Sequence, residues 1–431
     1  MKRFFKFLII SIIIVSTSFL VFKFSGVYRV NILKDNINWS IVAKNCKESV
    51  TFDKDEEDNT YVAYKNLIKL LKKDGREEVL VEKDELCIEE LIYYKKNLYF
   101  LSKDKIYNYS LENKSLKIII NNIPTEGKYL DRHLIIKDSK LLLSIGAATN
   151  SGIAENDKKS NLMNIPYDNS PINIILNGEN YGEKKTGAFM PYSNSSVKGQ
   201  KINAEEIGNA SIVKIALDNN KKSLYACGIR NITGWDLDSD NNLIAIVGGI
   251  ENVGVRGVER DFDYIYKLDD GTWYGWPDFS GGDPITSPRF QGENKVNPII
   301  SNPPNKVVPA PLYQFSKLGN IKYLAIDKDG AVLGKDSRIF YDKELNTICS
   351  IDKNGVLYKL LKLRDESRVG GIKYLNESIY ILDSGIGCIY RLQLDNSSLK
   401  FNLPKSVSIF IIILLFILVI LNIIRFNKIK K

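Results

Sequence analysis

From about residue 78 to residue 394 the chain repeats one rhythm. Short runs rich in Ile, Leu, Val and Tyr alternate with brief Asp/Asn/Gly/Lys turns, the signature of strands joined by tight connections. The pattern predicts strands at Glu78–Lys83, Glu90–Tyr94, Asn97–Ser102, Lys105–Ser110, Leu116–Ile120, His133–Lys137, Lys140–Ile145 and Ser211–Leu217. Further strands are predicted at Lys322–Asp327, Ser337–Tyr341, Gly355–Leu361, Gly371–Leu375, Ser378–Leu382 and Cys388–Leu394. Several fall into hairpins of one wording: LIIKDSKLLLSIG, WDLDSDNNLIAIVGG, YLAIDKDGAVLG and IKYLNESIYILDSG. A hairpin that recurs in this way predicts radial repetition, an all-β propeller of four-stranded antiparallel blades, with a β-sandwich array as the structural alternative. One irregular insertion, Ala147 to Gly208, interrupts the rhythm, and long irregular segments in compact domains are usually functional rims or lids.

The two ends break the pattern differently. Phe7–Phe22 and Ser406–Ile424 are uncharged, almost wholly apolar runs, close to the ~20 residues that cross a bilayer. A signal anchor over 1–23 is the preferred reading of the first, since bulky Phe19-Leu20-Val21-Phe22 offers no small-residue cleavage site; a cleaved signal peptide is the alternative. A second span over 405–424 with a basic tail at 425–431 places both termini in the cytoplasm under the positive-inside rule. The expectation is a two-pass cell-membrane protein whose propeller, residues 48–397, lies outside the cytoplasm behind a juxtamembrane segment, 24–47.

This division explains the charge. Nine of the 60 basic residues (Lys2, Arg3, Lys6, Lys23, Lys405, Arg425, Lys428, Lys430 and Lys431) lie at the ends, where no acidic residue occurs. The middle is left with 51 basic and 51 acidic residues, so the net +9 is no nucleic-acid footprint. The partner this division leads one to expect is the bilayer, with no nucleic acid. Five cysteines, at 46, 87, 227, 349 and 388, include no C-x-x-C pair; one bridge such as Cys349–Cys388 fits, a disulfide framework does not. A single histidine, His133, excludes a zinc site of the usual ligand spacing.

Candidate chemistry concentrates in Tyr225–Pro284. Gly228-x-Arg230-Asn231, Gly234, a D-x-D-turn-L hairpin, a glycine-rich acidic loop and Tyr274-Gly275-Trp276-Pro277 follow one another there. In order and spacing this stretch resembles the glucose/sorbosone dehydrogenase family, as does the closing Asp383-Ser384-Gly385-x-Gly387-x-Ile389-Tyr390-Arg391. The resemblance is firm over about 129–283 and 355–394. It implies a six-bladed β-propeller, here flanked by two transmembrane helices, that oxidises the CH–OH group of a sugar with pyrroloquinoline quinone (PQQ) and Ca2+. The alternative is a propeller without turnover that binds glycan or protein at the cell surface.

Such chemistry needs a base for the sugar hydroxyl, hard oxygen ligands for calcium and cations for the quinone's carboxylates. For the cofactor, the resemblance points to Arg230, Asn231, Arg256 and Arg368. For the metal, it points to Asp261 and Asp263 with the carbonyls of Gly249 and Ile250. For the base it meets a departure. Alignment on Leu134 and Gly146 puts Tyr129 or Leu130 where the family has its histidine, and His133 comes three or four residues late. His133, Tyr129 and Asp131 are therefore the candidates for that role. A second departure is Arg368-Val369-Gly370-Gly371, where the family reads R-x-R-D. No nucleophile elbow, P-loop or H-E-x-x-H occurs; a two-carboxylate glycosidase stays open because Asp and Glu are abundant, though no acidic pair stands out.

Overall fold

The computed structural model describes residues 28–156, 164–290, 292 and 296–395, together with helical positions Phe410, Ile413, Leu414 and Ile417. Contacts divide the chain into Ile32–Leu394 and a second unit made of the two ends, Met1–Asn31 and Asp395–Lys431. Among the described residues no helix is long and apolar enough to cross a membrane. The spans expected over 1–23 and 405–424 lie outside the described residues, those four positions excepted.

Ile32–Leu394 is a six-bladed β-propeller. Blade one is Thr51–Lys54, Thr60–Ala63, Leu67–Leu71 and Glu77–Glu82; blade two is Ile88–Tyr94, Asn97–Ser102, Lys105–Ser110 and Ser115–Ile120. Blade three is Tyr129–Lys137, Lys140–Ala147, Ser211–Ala216 and Lys222–Cys227, with Thr272–Trp273 added in parallel; blade four is Ile232–Leu237, Leu243–Val247, Tyr264–Leu268 and Tyr313–Gln314. Blade five is Ile321–Asp327, Ser337–Asp342, Thr347–Ile351 and Leu357–Lys362. Blade six is Val369–Leu375, Ser378–Asp383, Cys388–Leu394 and, from the other end of the domain, Ile37–Lys44. The first strand of each blade is innermost, and the six neighbour one another in a closed ring.

The composition of each strand follows from its place. Middle strands are covered on both faces and read as continuous apolar runs: all of Leu243–Val247 and all of Ser378–Asp383 are buried. Outer strands keep exposed positions, as in Leu357–Lys362. The cores lie between consecutive blades: Leu91, Leu98 and Phe100 pack on Ile68 and Tyr61, and Leu141 and Leu143 on Leu101 and Ile106. Each such side chain contributes about 1.5–3 kcal/mol when fully buried. The recurring aspartates close the turns, as Asx turns do. Asp327 accepts the backbone N–H groups of Ala331, Val332 and Leu333, and Asp383 those of Gly385, Ile386 and Arg368.

Three differences from the sequence reading stand out. Ile37–Lys44, expected within a juxtamembrane segment, is the strand that closes the ring, paired from Ile37↔Leu394 to Lys44↔Cys388. Its partner lies some 350 residues away, so nothing in the local pattern could announce it. Asp53 opens the acidic stretch Asp53-Lys54-Asp55-Glu56-Glu57-Asp58, whose composition reads as a solvated turn or loop, yet it is a buried member of blade one's inner strand. The Cys349–Cys388 bridge does not form: all five cysteines are free, and these two sit in blades five and six.

Candidate functional site at the propeller axis

The inner strands begin at one end of the ring, and there the insertion after Ala147 and the loop 248–263 also emerge. Two polar assemblies occupy this end. The first is a hub around Asn150, which the insertion supplies. Its backbone oxygen accepts Arg230 Nε (3.0 Å) and Trp276 Nε1 (3.2 Å). Its side-chain oxygen accepts Arg230 Nη2 (2.8 Å) and Glu251 N (3.0 Å), and its amide donates to the oxygens of Glu251 and Val253. One asparagine thus ties together the Arg230-Asn231 element, the acidic loop and the Tyr-Gly-Trp-Pro block. The Arg230 guanidinium lies 3.8 Å over the Tyr129 ring, and Tyr129 donates its hydroxyl to Glu251 Oε2 at 2.9 Å. Burial pulls the guanidinium below the ordinary arginine range against the opposing charges of Tyr129 and Glu251.

The remaining residues singled out in this region are spent on similar internal bonds. Arg256, 1% exposed, donates to Ser151 O, Pro277 O and Asn297 O and pairs with Asp278 at 2.6 Å. Asp261 accepts Ile250 N (2.6 Å), Phe262 N (2.9 Å) and the Tyr264 hydroxyl (2.5 Å). Gly249 is needed beside it, since a Cβ there would sit 2.2 Å from Phe262 O. Asp263 turns away, accepting Gly319 N at 3.0 Å with its second oxygen buried and unpartnered; burial pushes this carboxyl up to about 6. Arg368, by contrast, is exposed at the entry to blade six, where its backbone bonds Asp383 and Ser384.

The second assembly lines the axis, with polar side chains projecting from inner strands that are otherwise apolar. Blade one contributes Thr51 and Asp53, blade two Glu90, blade three Asp131 and His133, blade five Lys322 and blade six Lys373; Asn231 leads into blade four. Asn231 holds Asp131 twice: its Nδ2 donates to Asp131 Oδ2 (2.9 Å) and its Oδ1 accepts Asp131 N (3.1 Å). Lys322 Nζ reaches the same carboxylate at 3.4 Å, and both side chains are 37% exposed. Burial raises the Asp131 carboxyl, but the charges of Lys322 and His133 outweigh it and hold the group below its ordinary value. Deeper, Lys373 pairs with Asp53 at 3.4 Å and Glu90 with His133 at 3.0 Å. Tyr323, next to Lys322, has φ +58°, an uncommon conformation for a bulky residue, and its backbone lies so close to blade four that a Cβ on Gly234 would come within 2.4 Å.

The structure therefore brings Tyr129, Arg230 and Asn231 into one neighbourhood and Asp131, His133 and Asn231 into another. Arg256 adjoins the first through Ser151, which accepts its guanidinium and donates a hydroxyl to its backbone oxygen, while Arg368 belongs to neither. Glu90, Lys322, Lys373 and Glu251 were not singled out from the sequence. One signal marks three of them: a charged or titratable residue at the axial position of five of the six inner strands.

No protein-family model and no curated protein matches the sequence. Solved structures do. A calcium structure of a family AA12 carbohydrate-active enzyme from Trichoderma reesei superposes with a TM-score of 0.57 at 12% identity, covering 85% of this chain and 98% of that one. The holo PQQ domain of pyranose dehydrogenase from Coprinopsis cinerea gives 0.54 at 12% identity over 85% and 97%. The PQQ-bound aldose sugar dehydrogenase from Streptomyces coelicolor gives 0.51 at 13% identity over 84% and 99%. The chain has the propeller fold of the PQQ-type sugar dehydrogenases.

Whether that fold keeps its cofactor chemistry here depends on the residues. A calcium site needs carboxylate and carbonyl oxygens that converge on a vacant point. Asp261 instead faces N–H and O–H donors, and among the described residues no three His, Cys, Asp or Glu side chains group as metal ligands. A tricarboxylate quinone needs unspent cations, yet Arg230 is committed to Asn150 and Arg256 to Asp278. As arranged, these donor sets do not fit either group.

Proposed function

We propose that this chain is a polyol-binding propeller whose ligand, a sugar or related hydroxylated molecule, sits at the axis above Asp131, Asn231 and Lys322. The observation that carries this reading is the exposure of Asp131 and Lys322, 37% each, at the centre of a ring whose other polar groups are mostly covered. A carboxylate oxygen and an ammonium side by side offer an acceptor and donors to neighbouring hydroxyls, and Asn231 fixes the carboxylate in place. Sugars are what the pyranose and aldose dehydrogenases of this fold act on, as their names say. The apolar ends would hold the propeller at a cell membrane, outside the cytoplasm, where a cell-surface glycan is also within reach. Calorimetric titration of the full-length chain with a panel of aldoses and methyl glycosides tests the reading. Saturable binding that Asp131→Asn with Lys322→Ala abolishes is expected; no binding by any of them at millimolar concentration refutes it.

Oxidation of the bound polyol by a quinone is the second reading. The shared fold and the presence of a histidine on the axis favour it; the engagement of Arg230 and Arg256 weighs against it. Incubation of the full-length chain with PQQ and calcium discriminates: a saturable cofactor spectrum with aldose-dependent dye reduction establishes turnover, and its absence at micromolar cofactor leaves binding alone.

A further inference from the structure

Exposed apolar side chains gather at one corner of the propeller, away from the axial site. Val356, Leu357 and Tyr358, at the turn into the outer strand of blade five, are 47%, 50% and 38% exposed. Nowhere else among the described residues do three consecutive large apolar residues face solvent. Leu33, also exposed, runs beside this strand, its backbone N–H donating to Leu360 O at 2.9 Å. Lys34 lays its ammonium 3.9 Å over the Tyr358 ring. Leu394, exposed as well, ends the third strand of blade six opposite Ile37 of the closing strand.

Strand direction places this corner. Every inner strand starts at the end of the ring that carries Asp131 and Lys322, and the strands of each blade then alternate in direction. The fourth strand of blade five therefore starts, and the third of blade six ends, at the opposite end of the ring. Contiguous exposed apolar groups of this kind mark an interaction site. The chain itself indicates the occupant. Ten residues, 23–32, separate Leu33 from the apolar run ending at Phe22, and eleven, 395–405, separate Leu394 from the run beginning at Ser406. Fully extended, such connections reach at most about 40 Å. Lysines rim the patch at 34, 353 and 359; of the nearby acids Asp35 and Asp352, the second is turned onto the backbone N–H groups of Asn354 and Val356.

Resting on the membrane-tethering part of the reading above, we propose that this corner of blades five and six is a membrane-docking surface. Leu33, Val356, Leu357 and Tyr358 enter the headgroup region of the bilayer that holds the two apolar runs, with Leu394 at the margin. Aliphatic side chains and a tyrosine suit that boundary, and lysine stems lie along apolar surface while their ammonium groups reach lipid phosphates. Docking there turns the axial site away from the lipid, so its ligand arrives from the surrounding medium and not from the bilayer.

The test uses the full-length chain in vesicles of phosphatidylcholine and phosphatidylglycerol, part of the lipid carrying a quencher at the headgroup end of its acyl chains. Four of the five cysteines are buried; Cys87, partly exposed, is replaced by serine in every sample. An environment-sensitive thiol probe is attached at Leu357→Cys or at Val197→Cys, an exposed position on the insertion. The Leu357 probe should emit at shorter wavelength and lose most of its emission to the quencher, while the Val197 probe keeps its own. Adding Leu33→Ser and Tyr358→Ser should weaken the quenching at position 357. An unquenched probe at 357, or equal quenching at both positions, overturns the docking surface. Cross-linking of two Leu357→Cys chains by a short bismaleimide, without quenching, assigns the patch to a second copy and overturns it too. Release of the protein from the vesicles by alkaline carbonate removes the membrane reading and the inference with it, a result distinct from the others.

Discussion

The Asn150 hub and the axial site lie at the same end of the propeller, yet they spend their polar groups in opposite ways. In the hub, Arg256 is 1%, Asp278 4% and Arg230 5% exposed, and nearly every donor has an acceptor within the protein. At the axis, Asp131 and Lys322 stay over a third exposed and His133 keeps one nitrogen unpaired. Closed networks of buried polar groups fix a fold, whereas unspent capacity next to solvent is what a ligand can use. The residues that identify the fold are thus separate from those best placed to bind something.

This contrast can be broken at several points, and the largest effect belongs to the hub. Arg256→Met leaves the Asp278 carboxylate buried without its cation and should cost about 3–5 kcal/mol in urea denaturation. A loss under ~1 kcal/mol would remove Arg256 from the framework. Asn150→Ala orphans Arg230 Nη2 and Glu251 N, and should cost about 1–3 kcal/mol for each donor left unsatisfied. Unchanged stability would mean that the hub is not a unit.

At the axis the expected signature is a pH window rather than a large loss. His133 is raised in the folded state, so its contribution is complete below the ordinary histidine value and disappears as pH rises through the folded one. Burial pushes Glu90 up, but the bond from His133 and the charge of Lys373 outweigh it and depress the carboxyl. Its contribution is therefore present above the ordinary carboxylate value and lost as pH falls through the folded one. Glu90→Gln should consequently destabilise most between about pH 4.5 and 6.5 and progressively less on either side. A loss independent of pH would show that the pair is not ionised. The smallest stability effect is expected for Asp131→Asn and Lys322→Ala, within about 1 kcal/mol of wild type because the pair is part-exposed. The same two variants should weaken ligand binding at least about tenfold, a combination that no hub variant should reproduce.

Much of the propeller was legible because it is written locally. The WDLDSDNNLIAIVGG and IKYLNESIYILDSG hairpins pair as their wording implies, Trp235↔Ala245 and Tyr374↔Ile379 among the pairs. The closing strand Ile37–Lys44 was not legible, since its hydrogen bonds go to Cys388–Leu394 at the far end of the domain. At the site, Arg230, Asn231, Asp131 and His133 could be found from motif and spacing. What they touch could not, because each partner comes from another blade: Glu90 is 43 residues from His133, and Lys322 is 191 from Asp131. Arg256 and Asp261 illustrate the reverse. Their residue types suited a quinone and a cation, but chain folding gave them Asp278 and a ring of N–H and O–H donors as neighbours.

The most direct measurement is sugar binding to the full-length chain by calorimetry, with Asp131→Asn/Lys322→Ala set against an Asn150 variant that still folds. Binding that vanishes in the axial variant and survives in the hub variant is the expected result. Binding that survives in the axial variant, or depends only on the hub, would contradict a ligand site at the axis.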